Sequence, residues 1–463
     1  MAVIDLDYRG EQSYYAKLVQ GQKVAHIPSF MLESGIELTS VPVAYKTWGK
    51  LNERRDNVLV LCHALSGSSD AEDWWRPLMG CRKTCDYDRF FVFCANVLGS
   101  PYGSASPLTL DPMTKVPYGP TFPATTVRDD VRIHKQVLDA LGVDHVAAVI
   151  GGSMGGFATL EWPLCTPAGY VKTIVPIATS AYHSAWGISW GEAQRQCIYA
   201  DRDYGDGWYE PTPSGQPAQG LGAARMVGML TYRSHRSFEQ RFGRKPAIER
   251  INVVRSEADP GLATPESCTS ANADASGEPS RKRRKLTRHP DSTQPAAETK
   301  ARPVVNKYAA QSYLQYQADK FLKRFDANCY IHMTSKMDTH DVTRERSALS
   351  DHPRDSNGRK SDLKKALSSV GALVISVDTD VLFPAELQSE LMMCLPEAAL
   401  ASLASPDGHD GFLLEFEALG RLITEHLQRH FPQLYEGLIE KADDAVASEE
   451  VVDSVFGEQE PEF

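Results

Sequence analysis

The hydrophobic pattern of the chain is dominated by short runs of apolar or small residues with few polar interruptions. Strands buried on both faces of a parallel sheet have this pattern, whereas strands with one solvent-facing side alternate apolar and polar residues. The pattern therefore predicts a mostly parallel central sheet with helices on both faces. The predicted strands are residues 57–65, 90–98, 145–150, 171–178, 372–377 and 399–405.

A helix is predicted between two of these strands, in the segment that follows Thr126. Apolar residues recur there at helical spacing from Val127 to Leu141. Thr126 and Asp129 are placed as an N-cap and its N3 partner, and Gly142 follows the end of the pattern. Strands that alternate with helices in this way predict an α/β fold.

The alternation stops between residues 184 and 365, which we interpret as a helical insertion. Inside it, residues 255–303 are rich in Pro, Ser, Ala, Thr and charged residues and nearly lack large apolar side chains, a composition that predicts disorder. The predicted organisation is a core in two parts, residues 1–183 and 366–435, with an acidic tail at 436–463.

Composition and charge narrow the classes of protein that fit. The chain of 463 residues carries 49 Lys and Arg against 60 Asp and Glu, and this acidic balance argues against a nucleic-acid binder. We interpret the basic run at 281–285 as solvated charge rather than a nuclear localisation signal.

The sequence has no apolar run of membrane-spanning length and no recognisable leader, which predicts a cytoplasmic protein. The nine cysteines lack metal-binding spacing, so reduced thiols and no metal site are expected.

Residues 151–155 read Gly-Gly-Ser-Met-Gly and place Ser153 between a strand that ends at Ile150 and a helix-compatible stretch that begins at Met154. This strand–turn–helix arrangement is typical of a nucleophile elbow, in which a serine sits on a sharp, strained turn. Glycines are needed around such a serine because Cβ atoms would clash with the adjoining strand and helix. A glycine-rich loop without a catalytic role is the alternative.

A serine hydroxyl is a weak nucleophile that requires a general base held by an acid. His409 follows the last predicted strand, and Asp378 and Asp380 follow the strand before it. Open α/β sheets place their sites at this carboxyl edge, and α/β-hydrolases have the chain order Ser, Asp, His. We therefore predict a triad of Ser153, Asp380 and His409, with Asp378 as the competing acid.

Acyl transfer through a serine also requires two backbone donors for the oxyanion. The N–H of Met154, directly after the serine, is the first candidate. The second is the N–H of Leu65, in the loop after the first predicted strand. His63 lies at the start of this loop but precedes the serine in the chain, so we interpret it as a packing or loop-bracing residue.

Longer motifs surround these residues and extend the match along the chain. They include VPVAYKTWG (41–49), CHALSGSS (62–69), NVLGSPYGSASP (96–107), GGSMGGFATLEW (151–162), ARMVGMLTYRS (224–234), DTDVLFP (378–384) and GHDGFL (408–413). From about residue 28 to 430, apart from the low-complexity segment, the chain resembles the homoserine O-acetyltransferase family, and its fungal branch in particular.

The resemblance implies an α/β-hydrolase fold with a helical lid, and a two-step acyl transfer in methionine biosynthesis. An acetyl group would pass from acetyl-CoA to Ser153 and then to the side-chain hydroxyl of L-homoserine, which predicts ping-pong kinetics. Acetyl-CoA is then a substrate, and no bound cofactor is expected. The family's acid position matches Asp380 rather than Asp378. Its substrate-binding positions match Arg225, which would hold the homoserine carboxylate, and Asp410, which would receive the ammonium group.

The family also implies a homodimer, with small molecules as the other partners. Several functions share the same triad and remain as alternatives. They are homoserine O-succinyltransferase, serine O-acyltransferase, deacetylcephalosporin C acetyltransferase and a simple esterase. A scaffold that binds partners without catalysis would lack a triad member, and the sequence lacks none.

Overall fold

The computed structural model describes residues 4–247 (apart from 7, 9 and 11), 308–346, 356–367, 370–395 and 398–436. The predicted disordered segment 255–303 lies outside the described residues. So does the acidic tail from residue 437 onward.

A single eight-stranded sheet forms the centre of the described structure, with the strand order β1-β2-β4-β3-β5-β6-β7-β8. The neighbours from β4 to β8 are parallel, and β1 and β2 join them antiparallel at one edge. This confirms the predicted fold class, and all the predicted strands belong to this sheet. The strands are β1 Lys23–Met31, β2 Glu37–Trp48, β3 Val58–Cys62, β4 Phe91–Ala95, β5 Val146–Gly152, β6 Val171–Ile177, β7 Gly371–Val377 and β8 Ala398–Leu403.

The antiparallel hairpin of β1 and β2 was not among the predicted strands. It lies at the edge of the sheet, and buried residues alternate there with half-buried and exposed ones. Such strands lack the continuous apolar run on which the prediction depended. Each also contains a proline, Pro28 and Pro42, a residue that local sequence rules count against a strand.

Helices cover both faces of the sheet. They are α1 Ala71–Trp75, α2 Val127–Ala140, α3 Met154–Cys165, α4 Ala185–Tyr199, α5 Ala218–Tyr232, α6 His235–Arg241, α7 Ala309–Leu322, α8 Ala327–Asp338, α9 Ser356–Ala366, α10 Ala385–Cys394, α11 Phe416–His430 and α12 Pro432–Tyr435. The predicted cap of α2 is present, because Thr126 Oγ1 accepts from the Asp129 N–H and the Asp129 carboxylate accepts from the Thr126 N–H.

Alternate residues of β3 belong to different hydrophobic cores. Val58 and Val60 pack with apolar side chains of α2 and α3, whereas Leu59 and Leu61 pack with those of α11. Because side chains alternate between the faces of a strand, each face of the sheet has its own core. This is the physical reason why the central strands read as unbroken apolar runs.

The helices α4 to α9 lie between β6 and β7, the interval that holds the predicted insertion 184–365. Helix α4 packs against α5 and α8, and α5 packs against α7.

Among the described residues, no helix combines the length and apolar character that crossing a bilayer requires. Strands β5 to β8 run parallel, so their carboxyl ends meet at one edge of the sheet.

Candidate active site

Ser153 lies at the carboxyl end of β5, directly before α3, with φ 59° and ψ −125°. A residue with a side chain rarely adopts a positive φ, and such strain costs about 1–3 kcal/mol unless the surroundings hold it. The Ser153 N–H donates to the Ile177 carbonyl at 3.0 Å, and Thr179 Oγ1 donates to the Ser153 carbonyl at 2.9 Å. The sharp turn expected of an elbow is therefore held from the neighbouring strand β6.

Gly155 explains why the elbow requires glycine. A Cβ on this residue would lie 2.0 Å from the Cys62 carbonyl oxygen, a separation that no carbon atom can adopt. The first turn of α3 therefore lies directly against the end of β3. This contact brings Met154 next to the loop that contains Leu65.

His409 lies in a short 3-10 helix, Gly408–Leu413, that follows β8. Its Nδ1 is 2.7 Å from Asp380 Oδ2, and both side chains are buried. Asp380 Oδ1 accepts from the backbone N–H groups of Leu382 and Phe383, each at 2.8 Å. A carboxylate can only accept here, so Nδ1 carries the proton and the lone pair of Nε2 is left to act as a base.

The surroundings of His409 make it a stronger base than an ordinary histidine. Burial by itself lowers the pKa of His409. Attraction to Asp380, the hydrogen bond that His409 donates to Asp380, and attraction to Asp410 together outweigh burial. The pKa of His409 is therefore raised above its usual value. A base of this kind can take a proton from a serine hydroxyl.

Asp378 occupies a different environment from Asp380. Its side chain is exposed, and its Oδ1 accepts from the backbone N–H of Ser405 at 3.0 Å. The carboxylate thus ties the end of β7 to the segment after β8. Of the two aspartates in this segment, Asp380 is the one that contacts His409.

Phe412 lies beside both the nucleophile elbow and the His409 ring. The Phe412 ring fills the space beside Gly152, where a Cβ would lie 2.4 Å from a ring carbon. The same ring is 5.4 Å from the His409 ring. Among the described residues, His409 Nε2 has no hydrogen-bond partner, so it is not hydrogen-bonded to Ser153 Oγ. Such bonds often form only when substrate is bound.

The predicted oxyanion donors lie on facing elements. Met154 is the first residue of α3, a position whose N–H has no acceptor inside the helix. Leu65 follows β3 in the loop that Gly155 contacts. His63 braces this loop, since its Nε2 accepts from the Val97 N–H at 3.1 Å and its Nδ1 donates to the Ala64 carbonyl at 2.8 Å. Burial lowers the pKa of His63 to about 4 and keeps the ring neutral.

Arg225 and Asp410, the predicted substrate-binding residues, are linked to the histidine through different neighbours. Arg225 is buried on α5, with its guanidinium 5.5 Å from the centre of the Tyr232 ring. Tyr232 in turn lies 6.2 Å from the His409 ring. Asp410 directly follows His409 and forms a 2.9 Å ion pair with Arg233.

Two further arginines of the insertion contact the site, and the sequence reasoning missed both. Arg233 pairs with Asp410, and Arg324 donates to the carbonyl of Ser66, next to Leu65, at 2.9 Å. A weak signal existed for Arg233, which lies in the same motif as Arg225, but residue spacing does not reveal its partner. Arg324 likewise lies in a stretch that matches the family, YLQYQADKFLKRFDANCYI (313–331), but that match does not reveal its contact with Ser66.

Comparison with known proteins identifies the family of this chain. A family model described as alpha/beta hydrolase fold matches residues 57–416. A homoserine O-acetyltransferase of Cryptococcus neoformans var. grubii is 46% identical, and the match covers 96% of each protein. The homoserine O-acetyltransferase of Saccharomyces cerevisiae is 42% identical over 99% of this chain and 96% of the yeast protein. The chain therefore belongs to the homoserine O-acetyltransferase family within the α/β-hydrolase fold.

Solved structures share the fold at low sequence identity. A homoserine O-acetyltransferase from Bacillus anthracis matches with a TM-score of 0.67 and 19% identity, covering 93% of this chain and 99% of that one. An acetylester hydrolase from Corynebacterium glutamicum also matches with a TM-score of 0.67, at 22% identity, covering 91% and 99%. Transferases and hydrolases thus share this architecture, and the acceptor must be inferred from the site.

Proposed function

We propose that this chain is an acyltransferase that moves an acetyl group from acetyl-CoA to the side-chain hydroxyl of L-homoserine. The observation that carries the chemistry is the buried 2.7 Å pair of His409 and Asp380, next to a serine held at φ 59°. The choice of substrates is supported by the fungal relatives, which are homoserine O-acetyltransferases at 42–46% identity.

In the first half-reaction, Ser153 Oγ attacks the thioester carbonyl of acetyl-CoA while His409 Nε2 takes the hydroxyl proton. The carbonyl oxygen becomes an oxyanion, and the N–H groups of Leu65 and Met154 stabilise it. One such donor is worth a factor of about 10²–10³ in kcat. The carbon–sulfur bond then breaks, the proton passes from His409 to the departing sulfur, and CoA leaves an acetyl-serine behind.

In the second half-reaction, the homoserine hydroxyl attacks the acetyl-serine and His409 takes its proton. The intermediate collapses, the proton returns to Ser153 Oγ, and O-acetylhomoserine leaves. Asp380 holds the imidazole in one tautomer through both halves. Because CoA leaves before the acceptor reacts, ping-pong kinetics are expected.

The acceptor's charged ends have oppositely charged candidates in the site. Arg225 is proposed to bind the carboxylate, since a guanidinium matches its two oxygens, and Asp410 to bind the ammonium group. These anchors would distinguish the acceptor from water, which is what separates a transferase from a hydrolase with the same triad.

The decisive assay follows CoA release from acetyl-CoA or succinyl-CoA in the presence of L-homoserine, L-serine or deacetylcephalosporin C. We expect release with acetyl-CoA that depends on L-homoserine. Release with another donor or acceptor would assign the chain to one of the related acyltransferases. Release without any acceptor would identify an esterase-like activity, and the absence of release in every combination would contradict the proposal.

The nucleophile is tested separately with acetyl-CoA labelled in the acetyl group. The wild-type protein should retain label after removal of CoA, and Ser153→Ala should not. Ser376→Ala is a matched control, because it removes another buried serine hydroxyl at a position on β7. Label that persists on Ser153→Ala would show that another residue is the nucleophile.

We further propose that acetyl-CoA is used as a substrate without any bound cofactor, and that the protein is a cytoplasmic homodimer. The exposed apolar side chains of α4 and α5, Trp186, Tyr199 and Leu230, support pairing through these helices. Light scattering coupled to size exclusion would give the oligomeric state, and a monomer at micromolar concentration would contradict the dimer.

A further inference from the structure

The insertion and the histidine loop are in direct backbone contact at one point. Arg233 directly follows α5, and Ser234 caps α6. Gly408, the residue before His409, has φ 68°, and a Cβ there would lie 2.6 Å from the Ser234 nitrogen. The Ser234 hydroxyl also donates to the carbonyl of Pro406. This segment of the insertion therefore sets the position of the histidine loop.

The Arg233 guanidinium bridges the carboxylates on both sides of His409. Its Nη1 is 2.8 Å from Asp407 Oδ1, and its Nε is 2.9 Å from Asp410 Oδ2. The side chains of Arg233 and Asp410 are each 4% exposed, whereas that of Asp407 is 25% exposed. Asp407 Oδ1 also accepts from Ser237 Oγ at 2.5 Å, which ties it to α6. Of the two ion pairs, the one with Asp410 is the more deeply buried.

A buried carboxylate without a counter-charge costs several kcal/mol, so the ionised form of Asp410 depends on a cation nearby. Arg233 supplies such a cation, because its Nε lies 2.9 Å from Asp410 Oδ2 and both side chains are buried. The ion pair holds the Asp410 carboxylate in place. The planar fork of Arg233 also fixes direction, which a flexible lysine ammonium does not.

We propose that Arg233 is a positioning residue for the acceptor half-reaction, holding the Asp410 carboxylate where the ammonium group of the acceptor is bound. This inference rests on the proposed function. In the proposed mechanism Asp410 binds the acceptor and not acetyl-CoA, so the loss of Arg233 should lower the rate of the acceptor half-reaction more than that of the donor half-reaction. A residue with a purely structural role would weaken both halves alike.

The test is Arg233→Lys, which keeps the charge and loses the fork. In ping-pong kinetics, kcat/KM for acetyl-CoA reports the donor half-reaction and kcat/KM for L-homoserine reports the acceptor half-reaction. A misplaced anchor should lower kcat/KM for homoserine by about tenfold to a hundredfold, and the value for acetyl-CoA much less. Arg236→Lys is the matched control, since it makes the same substitution at an exposed position of α6, and both values should stay at wild-type level.

A double-mutant cycle with Asp410→Asn ties the effect to that carboxylate. Without the carboxylate there is nothing to position, so adding Arg233→Lys to Asp410→Asn should leave kcat/KM for homoserine unchanged. Independent, multiplying losses would overturn the proposal. If Arg233→Lys alone does not fold, the Asp410→Asn variant can still be compared with the Asp410→Asn, Arg233→Lys double variant. Both lack the buried Asp410 carboxylate that requires the arginine, so this comparison remains decisive.

The outcomes separate this inference from the proposed function. A wild-type protein that releases no CoA with any acceptor contradicts the function itself. A wild-type protein that acetylates homoserine, with an Arg233→Lys variant whose kcat/KM for homoserine is unchanged, contradicts the positioning role alone. Equal losses in both half-reactions also contradict it.

Discussion

The insertion is joined to the core by a buried ion pair, and breaking that pair should unfold the protein at a markedly lower urea concentration. Lys336 of α8 lies with its Nζ 2.9 and 2.7 Å from the two carboxylate oxygens of Asp130 on α2. The side chains are 0% and 3% exposed. The same pair holds both polar groups of Leu98, since Asp130 accepts from its N–H and Lys336 donates to its carbonyl.

Lys336→Met leaves Asp130 buried without its counter-charge, which should cost about 3–5 kcal/mol of the free energy of unfolding. With an m-value of about 3 kcal/mol/M, the urea midpoint should fall by about 1–1.7 M. Burial raises the pKa of Asp130 to about 6 even in the intact pair, so its ionisation is less favourable there than in water. A protonated carboxyl group needs no cation, so the deficit of the variant should shrink as the pH falls from 7 towards 4.

Asp130→Asn combined with Lys336→Met removes both charges and should recover most of the loss, because the desolvation cost disappears with them. The matched control is Lys135→Met, which breaks the Lys135–Asp139 pair on the same helix. That pair is 21% and 49% exposed, so its loss should cost about 0.3–0.5 kcal/mol. A loss below about 1 kcal/mol for Lys336→Met, or a double variant as unstable as the single one, would refute the reasoning.

Three further predictions follow from the site and its supports. The value of kcat/KM for the acetyl donor should rise with pH as His409 loses its proton, with a midpoint above the ordinary histidine pKa of about 6.5. Asp380→Asn should lower this midpoint and reduce the rate by a factor of about 10⁴. A wild-type pH profile with a midpoint below about 6 would contradict the raised pKa of His409. Gly155→Ala should lower the free energy of unfolding by at least about 1–3 kcal/mol and also reduce activity, because the new Cβ would meet the Cys62 carbonyl. A variant with wild-type melting temperature and CoA release would show that the contact is not close. Thr126→Ala should cost about 1 kcal/mol in urea unfolding, since it removes the side-chain cap of α2. An unchanged urea midpoint would mean that the cap contributes nothing.

The sequence by itself determined the central sheet and the elbow. Continuous apolar runs identify strands buried on both faces, and glycines around Ser153 identify a turn that excludes side chains. The capping box at Thr126 was readable for the same reason. These features depend on residues a few positions apart, and local sequence carries them. The antiparallel strands β1 and β2 were missed because their half-buried and exposed positions interrupt the apolar pattern.

Only the tertiary structure decided which charged groups meet. The residue pattern favoured Asp380 but left Asp378 as a competitor, and the structure places Asp380 against His409 and Asp378 against the backbone of Ser405. Arg233 and Asp407 are 174 positions apart, and nothing in local spacing connects them. Contacts of this kind arise because parallel strands bring their carboxyl ends to one edge and the helices of the insertion fold over it. A sequence records which side chains are present, while the chain path decides which of them share a buried site.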